Sequence, residues 1–416
     1  MAFQFDTTIW DGTDGCGDRC NDRSPPRKDG ANRRAVSVRE AVSVSHPRVL
    51  RLAASVVTIL ALSVVVANAG LVGTAAADAP ACGSVSYEGN GTADDPWQVG
   101  NVDQLQCIGL DHENASDQND ALSSDYELVS DIDASGTSGW NGGDGFDPIG
   151  DPDTAVFTGT FDGQNHTIDG LTVDRKAQNI GLFGKTGTGS RIVNIRLENA
   201  SVTGNLNVGV LIGKLEDGTV RNAAVNGSVT QGNDPTGSGV GGLIGSISAG
   251  TVTNSSASSS VIANTAEDVG GLVGSNDGTV RNSYATGDVI SDDQYAGGLV
   301  GSTSGLVTTS YATGDVEAPS SNSVGGLAGS AFGTVRKSYA VGNVNGDSQV
   351  GGLVGLNGGT AEKSYAVGNV SGSSNVGGLV AENRGTVENS YWDRGTTNQS
   401  NAIGNNEATA TGLNGF

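Results

Sequence analysis

The stretch from Val269 to Val289 reads V-G-G-L-V-G-S-N-D-G-T-V-R-N-S-Y-A-T-G-D-V, and near-copies begin at Ala296 and Val324. The Leu of each G-G-L-V-G-like core falls at Leu182, Leu211, Leu243, Leu272, Leu299, Leu327, Leu353 and Leu379, at intervals of 29, 32, 29, 27, 28, 26 and 26 residues. A second mark, the Tyr of S-Y-A-T-G and its variants, recurs at Tyr284, Tyr311, Tyr339, Tyr365 and Tyr391 and keeps step with the first. A fixed period of this size belongs to chains that stack one structural unit on the next.

Each period holds Val- and Tyr-bearing segments parted by Gly, Asn, Asp and Ser, with no apolar stripe at helical spacing, so strands and tight turns are what remain. A coil of this length loses roughly 1 kcal/mol or more of backbone entropy per residue, while three or four buried Val and Leu return only ~1.5 to 3 kcal/mol each. One coil cannot stand alone. Stacked coils bond strand to strand and share an interior, which predicts an all-β chain: a right-handed parallel β-helix or β-solenoid of about eight or more coils behind an N-terminal capping segment. Small residues suit this winding, and Gly supplies 66 of 416 residues while aromatics supply 5%. The divisions that follow are a leader at 1–77, an opening and capping segment at 78–156, the solenoid at 157–395, and a C-terminal tail or cap at 396–416.

Charge narrows the partners. The formal net charge is −23, and residues 82–416 hold 13 Lys and Arg against 37 Asp and Glu. Such a body is repelled by nucleic acid and by anionic membranes. It fits a solvated exported surface, with Ca²⁺ binding or tolerance of high salt as the functional readings.

Residues 52–67 form an apolar run preceded by Arg48 and Arg51 and followed by small residues, which is the grammar of a signal peptide. Cleavage is expected near Ala75 to Ala77, with an uncleaved anchor as the alternative, so any membrane contact runs through this segment alone. Arg33 and Arg34 sit too far ahead of the run to read as a twin-Arg signal. Cys16 and Cys20 lack a second ligand pair. Past the leader only Cys82 and Cys107 remain, and in an oxidising compartment one disulfide is the economical reading. Eight N-x-S/T sequons, at Asn90, Asn114, Asn165, Asn199, Asn226, Asn254, Asn369 and Asn398, suit an exported chain. The segment V-D-Q-L-Q-C-I-G-L reads as a short helix with Asn101 as its N-cap, which a Cys82 to Cys107 bond would pin over the open end of the solenoid.

The G-L-V-G cores at 271–274, 298–301 and 352–355 resemble those of the GLUG-motif repeat family. Upstream, the segments at 91–109, 126–136, 146–150 and 157–173 look like the lead-in to such repeats, and N-S-Y-W-D at 389–393 looks like their closing copy. The resemblance covers roughly 88–395 and implies a secreted or cell-surface, adhesin-like β-solenoid. Some proteins with such repeats are IgA-cleaving metallopeptidases in which a separate domain cuts. This chain has no H-E-x-x-H, and its histidines are His46, His112 and His166, so no peptidase follows. The family offers no catalytic residues to carry over.

Three motifs invite sharper readings. N-I-G-L-F-G-K-T at 179–186 approaches a phosphate-binding loop that would place Lys185 and Thr186 on phosphates, but Asn179 replaces the first Gly and Lys185 takes the slot of Ser246, Ser275 and Ser302, so Lys185 is expected at a turn. G-G-D-G-F-D-P-I at 142–149 matches a Ca²⁺-binding nonapeptide through Asp144 and Asp147, with Asp151 and Asp153 behind, yet such sites need tandem copies. Asp162, Asp169 and Asp174 beside Arg175 and Lys176 are the best set for a polysaccharide lyase or hydrolase, although no carboxylate cluster is seen to recur at coil spacing on one face. The expected function is therefore non-enzymatic: a structural or adhesive role toward a cell-surface protein or glycan, without a cofactor unless Ca²⁺. The alternatives are a carbohydrate-active β-helix enzyme and a Ca²⁺-dependent glycan-binding module.

Strand alternation also assigns the recurring Tyr to a side. In S-Y-A-T-G-D-V, Ser283, Ala285, Gly287 and Val289 share one side and Tyr284, Thr286 and Asp288 the other. The first copy places Ile195 and Leu197 in the Ser and Ala slots and Arg196 in the Tyr slot. An unpaired Arg is not buried. Tyr284, Tyr311, Tyr339, Tyr365 and Tyr391 are thus expected as an outward aromatic ladder that stabilises the stack by ring contact, or serves as a glycan-binding strip.

Overall fold

A computed structural model describes residues 78–109, 118–150, 155–232 and 239–416. The leader, with Cys16, Cys20 and the apolar run, lies outside them, as do His112, Asn114, Asp151 and Asp153. Among the described residues no helix is long and apolar enough to cross a membrane.

One coil shows how the repeat is used. Its strands are Asp268–Gly270, Val273–Asn276, Thr279–Arg281, Tyr284–Ala285 and Val289–Ser291, and the next coil opens with Tyr295–Gly297. Each strand lies parallel to its copy one coil on, with Val269 beside Ala296, Val273 beside Val300, Val280 beside Val307, Tyr284 beside Tyr311 and Val289 beside Val316. Four ladders result. The first, of eight strands, runs through the V-G-G segments, and the second, of nine, through L-V-G-S. The third carries T-V-R and has twelve strands, from Trp97–Val99 to Thr409–Thr411, or about 53 Å at the usual strand spacing. The fourth carries S-Y-A and D-V side by side, and both are spanned by the long strands Arg196–Gly204 and Ala224–Gln231.

Alternation decides what fills the interior. Val269, Leu272, Val273, Val280, Ala285 and Val289 are fully buried, and the same slots in neighbouring coils repeat the pattern. The paired glycines of G-G-L follow from how near the coils lie at that turn. A Cβ on Gly271 would stand 2.2 Å from the carbonyl oxygen of Gly298 in the next coil and 3.0 Å from the Cβ of Ala285. Only a residue without a side chain fits there.

Between the third and fourth ladders the chain turns through one residue in the left-handed region. Asn194, Asn222, Asn254 and Asn282 take this corner, then Thr309, Lys337 and Lys363, then Asn389, with φ from 48° to 56°. Asn tolerates that conformation best among residues bearing a Cβ.

The ladders do not respect the boundaries expected at 157 and 395. Trp97–Val99 and Tyr126–Leu128 already belong to the third ladder, and Ile403–Asn406, Thr409–Thr411 and Asn414–Gly415 pair with the preceding coil. Residues 396–416, expected as a tail or cap, thus contribute a further paired coil. Both departures have one cause: the first and last rungs keep the strand geometry while losing the G-G-L and S-Y-A wording.

At the N-terminal end a short helix, α1 (Val102–Gln106), starts at Asn101, whose Oδ1 accepts the Gln104 amide at 2.9 Å. Leu105, Cys107 and Ile108 are buried on the first rungs. Cys82 and Cys107 are joined by a disulfide. The Tyr87 hydroxyl donates to the Gln104 carbonyl, and the Gln98 amide donates to the Glu88 carbonyl at 2.9 Å, which covers the outer edge of the first strand.

Candidate functional site

The most regular surface of the molecule is the outer side of the fourth ladder. Tyr284, Tyr311, Tyr339, Tyr365 and Tyr391 lie in register there, one per coil. Tyr284, Tyr365 and Tyr391 are 37%, 38% and 44% exposed, and Tyr311 and Tyr339 are half-buried. Their inward neighbours Ser283, Ala285 and Val289 are buried, and Arg196 in the Tyr slot of the first copy is exposed. Successive rings from Tyr284 to Tyr365 stand 4.9, 4.8 and 4.8 Å apart, with planes within 5°. Rings so aligned cover much of one another's faces and leave edges and hydroxyls to water, an arrangement that suits stacking better than a row of open faces. Burial, followed by the neighbouring phenols, raises the Tyr311 and Tyr339 hydroxyls above the usual range.

Beneath the rings runs a column that the sequence reading missed. The amides of Ser255, Ser283, Ser310, Ser338 and Ser364 each donate to the Ser hydroxyl one coil further on, at 3.2 Å. Each hydroxyl from Ser255 to Ser390 in turn donates to the carbonyl two residues back, at 2.8–2.9 Å. The invariant-looking Ser ahead of each Tyr was the available signal. Beside the Tyr column, Asp288, Asp315 and Asn343 each accept the backbone amide one coil on, from Asp315, Asn343 and Asn369 at 2.7–3.1 Å.

The set proposed for polysaccharide chemistry is not assembled as expected. Asp162 lies on the third ladder, where Oδ1 accepts from the Gln164 amide and Asn194 Nδ2, while Asp169 lies on the fourth. Arg175 turns toward Asp147 at 3.1 Å and donates to the Phe146 carbonyl. Asp174 and Lys176 rim an open hollow with Asp144. Lys185 sits on the strand Phe183–Thr186 instead of a turn, beside Lys214 and 2.8 Å from Glu216.

The register does correct one sequence reading. Asp133, Asp169 and Glu198 occupy matching positions on consecutive coils, all exposed, so carboxylates do recur at coil spacing on one face. Each is engaged: Asp133 accepts the Ser135 amide at 2.9 Å, Asp169 accepts Asn199 Nδ2 at 2.7 Å, and Glu198 lies 3.9 Å from Arg196. Hydrogen bonds from Ser135 hold the Asp133 carboxyl below its usual range. Nearby Asp131 is held low by the Thr167 amide and then by His166, whose Nδ1 is 3.1 Å away. Carboxyls held low are ionised at neutral pH and cannot give up a proton as general acids. Among the described residues no three His, Cys, Asp or Glu side chains converge as metal ligands.

Parallel ladders, a repeated coil and a periodic outer face define the class: this is a repeat β-solenoid. Residues 265–290 match the GLUG motif, and a stretch of 154 residues is 44% identical to Halomucin of Haloquadratum walsbyi. One coil of this solenoid thus carries the GLUG motif. That stretch is 36% of this chain and spans 2% of Halomucin. A crystal structure of a "putative immunoglobulin A1 protease" from Bacteroides ovatus aligns over 77% of this chain and 86% of that one, at 19% identity and a TM-score of 0.41.

Proposed function

We propose that the chain is a non-enzymatic exported repeat protein whose solenoid holds a regular face outward at the cell envelope, in a structural or adhesive role. The observation that carries this is periodicity. The Tyr, Ser and Asp/Asn columns recur once per coil, so the surface chemistry is displayed along a rod and not gathered at one point. A Cys82 to Cys107 bond favours an oxidising compartment, and the acidic body favours a solvated exterior. A glycan or a surface protein is the expected partner.

The Asp133, Asp169 and Glu198 column supports a second reading, an enzyme acting on polysaccharides. One experiment separates the two. The full chain is screened on glycan and protein arrays and against polysaccharides, alongside Asp169→Asn/Glu198→Gln and Tyr311→Ser/Tyr339→Ser. Binding that survives the carboxylate changes and falls with the tyrosine changes supports display. Polysaccharide cleavage that vanishes with Asp169→Asn/Glu198→Gln overturns it.

A further inference from the structure

The tyrosine column has a chemistry that neither stacking nor display uses. From Tyr284 to Tyr365, four phenols stand on consecutive coils at 4.8–4.9 Å with parallel planes, and the backbone register holds them there. All four are reachable from solvent. We propose that this column is a site of oxidative coupling, where a one-electron oxidant such as a haem peroxidase with hydrogen peroxide joins neighbouring tyrosines into dityrosine and staples one coil to the next.

Each of two adjacent phenols gives one electron to the oxidant and its hydroxyl proton to water. The two phenoxyl radicals form one carbon–carbon bond between positions ortho to the hydroxyls. The ring hydrogens displaced there move to the oxygens, which restores two phenols, and the peroxide takes up the two electrons and two protons to give two waters. The stack favours this over other fates of the radicals because the coupling partner is already in place, so encounter is intramolecular.

The chain supplies its own controls. Tyr87 and Tyr126 are neighbours at 5.9 Å, but they are buried and meet edge to face at 74°. Tyr295 is half-buried and lies in register with Asp268 and Ser323, so no tyrosine flanks it on the adjacent coils.

The test treats the dilute full chain with a haem peroxidase and hydrogen peroxide, isolates the monomer, and maps linked peptides by mass. Links between Tyr284 and Tyr311, Tyr311 and Tyr339, and Tyr339 and Tyr365 are expected, each lowering the mass by two hydrogens and giving dityrosine fluorescence. Tyr339→Phe keeps the ring and the stack, and should abolish both links to 339 while leaving that between 284 and 311. The proposal is overturned if coupling is found only in dimers, if Tyr295 is linked as often as the column, or if no dityrosine forms under conditions that couple free tyrosine.

Discussion

The amide of Ser283 donates to the hydroxyl of Ser310 at 3.2 Å, and both residues are buried. No turn or strand partner is required, because the hydroxyl stands in for a ladder carbonyl at the corner between two sheets. Ser310→Ala leaves that amide without its acceptor and is expected to cost about 1–3 kcal/mol. Denaturant unfolding checks the size, and faster hydrogen exchange at the Ser283 amide locates the loss.

Gly271 tests the near approach of coils. Gly271→Ala places a methyl 2.2 Å from a backbone oxygen that cannot move alone, and should destabilise by about 3 kcal/mol. Gly136→Ala is the control, since nothing lies within 4 Å of its Cβ. Thermal unfolding of the two variants should differ plainly.

The left-handed corner offers a gain. Thr309 is β-branched at φ 52°, where the coils before it carry Asn. Thr309→Asn is expected to stabilise by about 1 kcal/mol, read as a higher denaturation midpoint.

The Cys82 to Cys107 bond spans 25 residues and should contribute about 3 kcal/mol to the order of the opening segment. Cys82→Ser is expected to speed exchange at the Gln98 amide and open 82–107 to proteolysis, while the coils from 265 onward stay protected. Equal loosening along the whole rod would contradict this.

Asp268 predicts a pH effect. Burial raises its carboxyl above the ordinary value of 3.8, against hydrogen bonds from Ser302 and Ser275 that act the other way. The folded chain therefore holds the proton more tightly than the unfolded chain, and stability falls as pH rises from about 3.8 through the folded value. Asp268→Asn should raise the urea midpoint at pH 7 and give no gain below the lower end of that window. A variant gain independent of pH would refute the assignment.

Much of this was legible in the sequence, and for a physical reason. Period and parity are both one-dimensional, so Leu272 and Leu299, or Arg196 and Tyr284, could be superposed by counting alone. The carboxylate column was not visible because its rungs fall at unequal intervals, 36 residues from Asp133 to Asp169 and 29 on to Glu198. Counting fails where loops differ in length, and only the hydrogen-bond register brings such residues together. The Ser column escaped notice for another reason: its role lies in backbone amides, which no side-chain pattern reveals. The limits of the solenoid were hidden because outer rungs need only strand geometry, not the repeat's wording.

The serine column bears on how such a chain changes length. Every interior Ser is donor on one side and acceptor on the other, so any rung can follow any other. Near-identical copies of the repeat invite unequal recombination, and a crossover that removes or adds one full period rejoins matching rungs with no amide stranded. A crossover out of phase puts Tyr where Ser belongs. The gene can therefore lengthen or shorten in whole coils, and variation in reach among descendants would come in steps of one strand spacing, about 4.8 Å.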